Sequence, residues 1–259
     1  MEVKQNAQGQ SAETDAPPST TADTIRLPER GFAIDRPKAL IAAAMCWAGW
    51  AIMVWLVTTG RTLDIDQWVL LSFRTGEDLG LHGSERVLET VRDITALGGV
   101  FLRNLFALAA VVALLFLKLR REAVLYALTV ASGWVANTGM KLLVGRERPE
   151  IVPHLTHAGG ESFPSGHSFS AAVVYIGMAI AFAALSRRHS VRYTVIGFAM
   201  AVSALVAFSR VLLGVHFPSD VIAGWLGGAG WAFLAAALFY APAKAAAESE
   251  TVKKMDPSE

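Results

Sequence analysis

Apolar residues in this chain gather into long runs, without the strict alternation of half-buried strands. Six runs approach the roughly 20 residues that a helix needs to cross a bilayer core. They are Ala39 to Thr58, Gly99 to Leu117, Ala123 to Val144, Ser168 to Leu185, Tyr193 to Leu213 and Val221 to Tyr240. A buried core helix explains one or two such runs but not six, so the pattern predicts an all-α integral membrane bundle of six transmembrane helices. The first run holds no charge, the second carries Arg103 near one end, and the third carries Lys141 near its end. Arg103 is placed to snorkel toward headgroups.

The polar remainder divides the chain into three parts. Residues 1–37 and 241–259 read as disordered tails on either side of a membrane domain over 38–240. No cleavage site clearly follows the first run, which therefore reads as a retained anchor. Between the first two runs, "DQWVLLSF" and "SERVLETVRDITAL" show short helical periods. They fit either helices lying along the interface or ordinary loop packing.

Composition agrees with a membrane class. Charged residues make up 17% and hydrophobic ones 53% of 259 residues, against about a quarter charged in soluble domains. The net charge of +1 gives no overall field for nucleic acid. One cysteine, Cys46, rules out an internal disulfide and a cysteine-based zinc site. Basic residues fall in alternate connections: Arg26, Arg30, Arg36 and Lys38, then Lys118, Arg120 and Arg121, then Arg187, Arg188 and Arg192, then Lys244, Lys253 and Lys254. The positive-inside rule makes that side, with both termini, cytoplasmic.

Three polar clusters fall on the opposite side. The third run ends "KLLVGRERPE", the fourth opens "PSGHS", and the fifth ends "SRVLLGVHFPSD". Lys141, Arg148 and Arg210 run against the positive-inside rule there, and an anionic ligand would compensate for them. Arginine offers a planar donor fork for phosphate oxygens, and lysine a mobile charge. Ser165 and Gly166 precede a helix, so their N–H groups could meet the same anion. Asp220, four residues after His216, can fix one ring nitrogen and leave the other to attack phosphorus. His167 has no such carboxylate and reads as the general acid.

These residues resemble the type 2 phosphatidic acid phosphatase (PAP2) superfamily, whose signature has three parts. Lysine, six residues and Arg-Pro is matched by Lys141 and Arg148-Pro149. Pro-Ser-Gly-His is matched by Pro164 to His167, and Ser-Arg, five residues, His, three residues, Asp by Ser209-Arg210, His216 and Asp220. The resemblance implies a six-helix bundle of PAP2 type and hydrolysis without a metal or other cofactor. It implies a phosphohistidine on His216 oriented by Asp220, with His167 as leaving-group acid. Phosphate would be held by Lys141, Arg148, Arg210, Ser165 and the Gly166 amide. It further implies a membrane phospholipid or prenyl diphosphate as substrate, with undecaprenyl diphosphate, phosphatidylglycerophosphate and phosphatidic acid as candidates. A bacterial inner-membrane protein with a periplasmic site is the expected setting. Phosphotransfer to another acceptor, or transport or binding without turnover, are the alternatives.

Some residues stay open. Arg146 either contacts a second phosphate or faces headgroups. His154 and His157 either line the entrance or belong to a plain loop, and His82 and His189 read as surface residues. The seven tryptophans read as lipid-facing or packing residues.

Overall fold

The computed structural model describes residues 35–239 apart from positions 184 and 187. The predicted tails, except residues 35–37, lie outside the described residues. So do Arg26, Arg30, Arg187, Lys244, Lys253 and Lys254 of the charge pattern.

Among the described residues, eight helices follow one another: α1 (Arg36–Thr58), α2 (Leu63–Ser72), α3 (Glu85–Leu97), α4 (Val100–Phe116), α5 (Arg120–Val144), α6 (Gly166–Ala183), α7 (His189–Leu212) and α8 (Pro218–Phe239). Two short strands, β1 (Arg74–Thr75) and β2 (Gly80–Leu81), pair antiparallel between α2 and α3. Each of the six apolar runs folds as a helix, within a few residues of its expected bounds.

Membrane-crossing character is narrower than expected. α1, α6, α7 and α8 are long and apolar enough to cross, and a fifth span is gained if α3 and α4 count as one element bent by 47°. Six spans of that kind are not found among the described residues. At 17 residues, α4 reaches only about 25 Å alone, short of a core of about 30 Å. α5 has 25 residues, but Ser132, Gly133, Asn137, Thr138 and Gly139 dilute its apolar character.

α6 is the axle of the bundle. Its membrane-length window is 78% buried, against 6% for α1. α8, α7 and α5 pack around it, and α1 packs on the outside of α8. Small residues let α8 approach closely. A Cβ at Gly228 would collide with the Phe169 carbonyl oxygen, and one at Gly224 would stand 2.6 Å from that of Ser165. The close crossing seats the start of α6 beside the start of α8. At the far end, Lys38 Nζ at the start of α1 lies 3.5 Å from the Tyr193 hydroxyl at the start of α7.

One expectation changes here. Arg103 does not reach out to headgroups: it is 9% exposed, inside the packing of α4. α2 and α3 pack on α8 and α7 respectively. α2 still exposes Ile65 and Trp68, so its outer face is apolar.

Candidate active site

Three helix ends and one loop converge. α5 finishes in Lys141 and Gly145, the loop 145–165 returns across the bundle, and α6 opens at Gly166. α7 finishes in Arg210, and Pro218 opens α8 at a position where its missing N–H costs nothing. Ser165 caps α6, its Oγ accepting from the Ser168 N–H at 3.5 Å and from the Ser168 hydroxyl at 2.9 Å. Asp220 sits in the first turn of α8 and reaches back to accept the Phe217 N–H at 2.9 Å. The Ser165 N–H donates to the Asp220 carbonyl at 3.0 Å and ties the two helix starts together.

His216 lies between α7 and α8 and is 2% exposed. Its Nδ1 is 3.5 Å from Asp220 Oδ2 and 3.2 Å from Ser162 Oγ, while its Nε2 is 3.1 Å from an Arg148 terminal nitrogen. A guanidinium only donates, so Nε2 carries the lone pair and the proton belongs on Nδ1. Nε2 is therefore the nucleophilic atom, and Asp220 and Ser162 hold the other side of the ring. Burial pushes the His216 imidazole down to about 4, against the pull of Asp220 and with help from the charges of Arg148 and Arg210. The free ring is neutral at neutral pH.

Arg148 is engaged throughout. Its Nε donates to Gly160 O at 2.9 Å, and its terminal nitrogens donate to Val215 O at 2.7 Å and Gly159 O at 2.9 Å. It thus clasps the 159–161 segment to the residue before His216, with its fork beside Nε2. Burial lowers its pKa, with Asp220 and Glu161 opposing. Lys141 Nζ donates to Glu161 O. Arg210 is 3% exposed, donates to Thr95 Oγ1 at 3.1 Å, and leaves its Nε without a partner. Gly166 lies against Lys141 and Asn137, where an added Cβ would stand 3.6 Å from Lys141 Cε.

His167, in the first turn of α6, is partly exposed and lies within electrostatic reach of Arg210, His216, Arg103 and Arg148. Its ring packs where α3 meets α4: a Cβ on Gly98 would be 3.3 Å from His167 Cδ2 and would collide with Val206. The structure thus brings Lys141, Arg148, Ser165, Gly166, His167, Arg210, His216 and Asp220 to one end of the bundle. Cations outnumber carboxylates around His216, as an anion-binding site requires.

Arg146 is engaged by carboxylates: its two terminal nitrogens bond Asp220 Oδ1 at 2.7 Å and Asp66 Oδ2 at 2.9 Å, and its guanidinium stacks 4.2 Å from the Phe217 ring centroid. Two carboxylates that are 0% and 2% exposed account for its charge. His154 turns back onto its own loop, with Nε2 2.7 Å from Pro149 O. His157 is exposed. Three residues of the cluster were not foreseen: Ser162, whose hydroxyl donates to Asp220 Oδ2, Asp66, which accepts from both the N–H and hydroxyl of Ser219, and Ser219 itself. Short polar residues flanking the motifs were the available signal for Ser162 and Ser219; Asp66 had none. Among the described residues, no group of three or more His, Cys, Asp or Glu side chains is placed to hold a metal ion.

The chain matches the sequence profile of the PAP2 superfamily over residues 122–243. It is 38% identical over 128 residues to the lipid A 1-phosphatase of Rhizobium etli, covering 46% of this chain and 50% of that one. It is 34% identical over 142 residues to phosphatidylglycerophosphatase B of Bacillus subtilis, covering 53% of this chain and 68% of that one. The fold matches the crystal structure of a transmembrane PAP2 type phosphatidylglycerolphosphate phosphatase from Bacillus subtilis with a TM-score of 0.67 and 26% identity, over 74% of this chain and 93% of that one. The chain spans about half the length of the lipid A 1-phosphatases it matches.

Proposed function

The chain belongs to the PAP2 superfamily, and from that premise we propose that it hydrolyses the phosphate or diphosphate ester of a membrane lipid without a metal ion. The carrying observation is the His216 ring, whose Nε2 is held as a bare acceptor 3.1 Å from Arg148 while Asp220 and Ser162 hold Nδ1.

Nε2 attacks phosphorus and forms a P–N bond. The bond to the lipid oxygen breaks, and His167 protonates that oxygen. Lys141, Arg148, Arg210, Ser165 and the Gly166 amide neutralise the phosphoryl oxygens in transfer. Asp220 stabilises the positive charge that develops on the ring. His167 then takes a proton from water, water attacks phosphorus, and the P–N bond breaks to return the neutral ring.

The candidate lipids are undecaprenyl diphosphate, phosphatidylglycerophosphate and phosphatidic acid. The relatives' names add lipid A 1-phosphate. In the membrane, the chain traverses six times, with α3–α4 as one bent crossing and α5 completing the count. Both termini are cytoplasmic, and the site faces the periplasm of a bacterial inner membrane. The length of α5 supports this reading: 25 residues reach about 37 Å. The test is phosphate release from these lipids by purified protein in EDTA. His216→Ala should lower it by at least about 10⁴-fold while the protein stays folded. Full activity in that variant overturns the nucleophile, and loss of activity in EDTA overturns the metal-free chemistry.

A further inference from the structure

Arg103 has no place in the mechanism above and no match in the three-part signature. It is a guanidinium at 9% exposure with no ion pair or hydrogen bond among the described residues; the polar group within its electrostatic reach is the Tyr175 hydroxyl, which itself donates to Leu97 O at 2.7 Å. A buried cation with no counter-charge is costly unless a ligand pairs with it. It projects into a cavity of about 380 Å³ between α4, α5 and α6, whose lining includes Val100, Asn104, Gly133, Ser170 and Val173. Arg103 also lies in the first turns of α4, where unpaired backbone N–H groups favour negative charge.

The cavity is lined by the stretch of α6 that follows His167. Ser170 is one turn along α6 from His167 and shares its face, and the charge of Arg103 acts on His167. A second hollow of about 220 Å³ shares Asn104, Val130 and Ala131 with the first and continues along α4 and α5. A lipid leaving group next to His167 would therefore run past Arg103 on its way out of the site.

We propose that Arg103 binds a second anionic group carried by the leaving group, so that the site is built for a lipid diphosphate in which the inner phosphate sits in the Arg103 cavity. The inference rests on the phosphatase reading above. When Nε2 of His216 attacks the outer phosphorus, the bridging P–O bond breaks and its electron pair stays on the inner phosphate. His167 protonates that bridging oxygen, and Arg103 pairs with the negative charge that the inner phosphate carries. The products are inorganic phosphate and a lipid monophosphate.

Farnesyl diphosphate and farnesyl monophosphate share one tail and differ by one phosphate. Phosphate release from each is measured with the full-length protein in detergent. In Arg103→Gln, the ratio of kcat/KM for the diphosphate to that for the monophosphate should fall by at least about 30-fold, and Arg103→Lys should restore part of it. An unchanged ratio overturns the inference, since a merely structural arginine would affect both substrates alike. So does a wild-type protein that hydrolyses the monophosphate but not the diphosphate, and that result leaves the phosphatase reading intact. Release from neither substrate or from the other lipids would overturn that reading itself. If Arg103→Gln does not fold, inhibition of wild-type monophosphate hydrolysis decides. Methylenediphosphonate should inhibit at least about tenfold more tightly than methylphosphonate, and equal inhibition overturns the proposal.

Discussion

Arg146 shows how far one residue's role can lie from its motif. It stands two places before Arg148, yet it serves Asp220 and Asp66 as a counter-ion. Removing one partner of a buried pair leaves an uncompensated charge, at a cost on the order of 3–5 kcal/mol. Arg146→Met should therefore lower the unfolding midpoint in detergent and reduce kcat through a misplaced Asp220. An unchanged midpoint with a raised KM would return Arg146 to the substrate. His216 offers a second check. Its native pKa of about 4 lies below the roughly 6.5 of a free imidazole, so the unfolded chain takes up the proton first. Stability drawn from the neutral ring is thus present above pH 6.5 or so and is lost as pH falls toward 4. A ¹⁵N-histidine NMR titration, with His216→Asn to assign the signal, should give a midpoint below pH 5; a midpoint near 6.5 would contradict the buried, cation-facing ring. The spacing of His216 and Asp220 made their partnership legible in the sequence, because four residues bridge one turn. Asp66 was illegible because its contact with Arg146 crosses 80 positions and no local pattern encodes it.

At the scale of elements, apolar run length located every long helix but not its standing as a span. α3 and α4 together are apolar and long enough to cross but are bent by 47°, and the polar residues that bring α5 to the site weaken its apolar signal. At the bend, Gly98 leaves room for His167 and Val206. Gly98→Ala should drive the His167 ring off its line and cost about 10²-fold in kcat, the scale expected for a displacement of about 1 Å, with helix content by circular dichroism unchanged. Gly139→Ala, where an added Cβ meets nothing within 4 Å, is the matched control and should leave kcat as it is. Equal behaviour of the two variants would remove the bend from catalysis.

For the whole molecule, alternating basic connections predict sidedness; Lys38 and Tyr193 meet at the end of the bundle away from the motifs. In a Cys46→Ser background, a cysteine at His157 should react with an impermeant maleimide in intact cells, and one at Lys118 only after permeabilisation. The reverse pattern would invert the molecule in its membrane. Packing adds what charge counting could not: α6 is shielded while α1 lies outside α8, because close small-residue contacts need three dimensions to be seen. That shielding separates two kinds of work. Helices such as α1 meet the lipid and take up its changes in thickness by tilting. The starts of α6 and α8, which hold His167 and Asp220, are fastened to each other through the Ser165 and Asp220 backbones. The motif residues are thereby mechanically insulated from the bilayer, so a membrane can stiffen or thin while His167 and Asp220 keep their alignment.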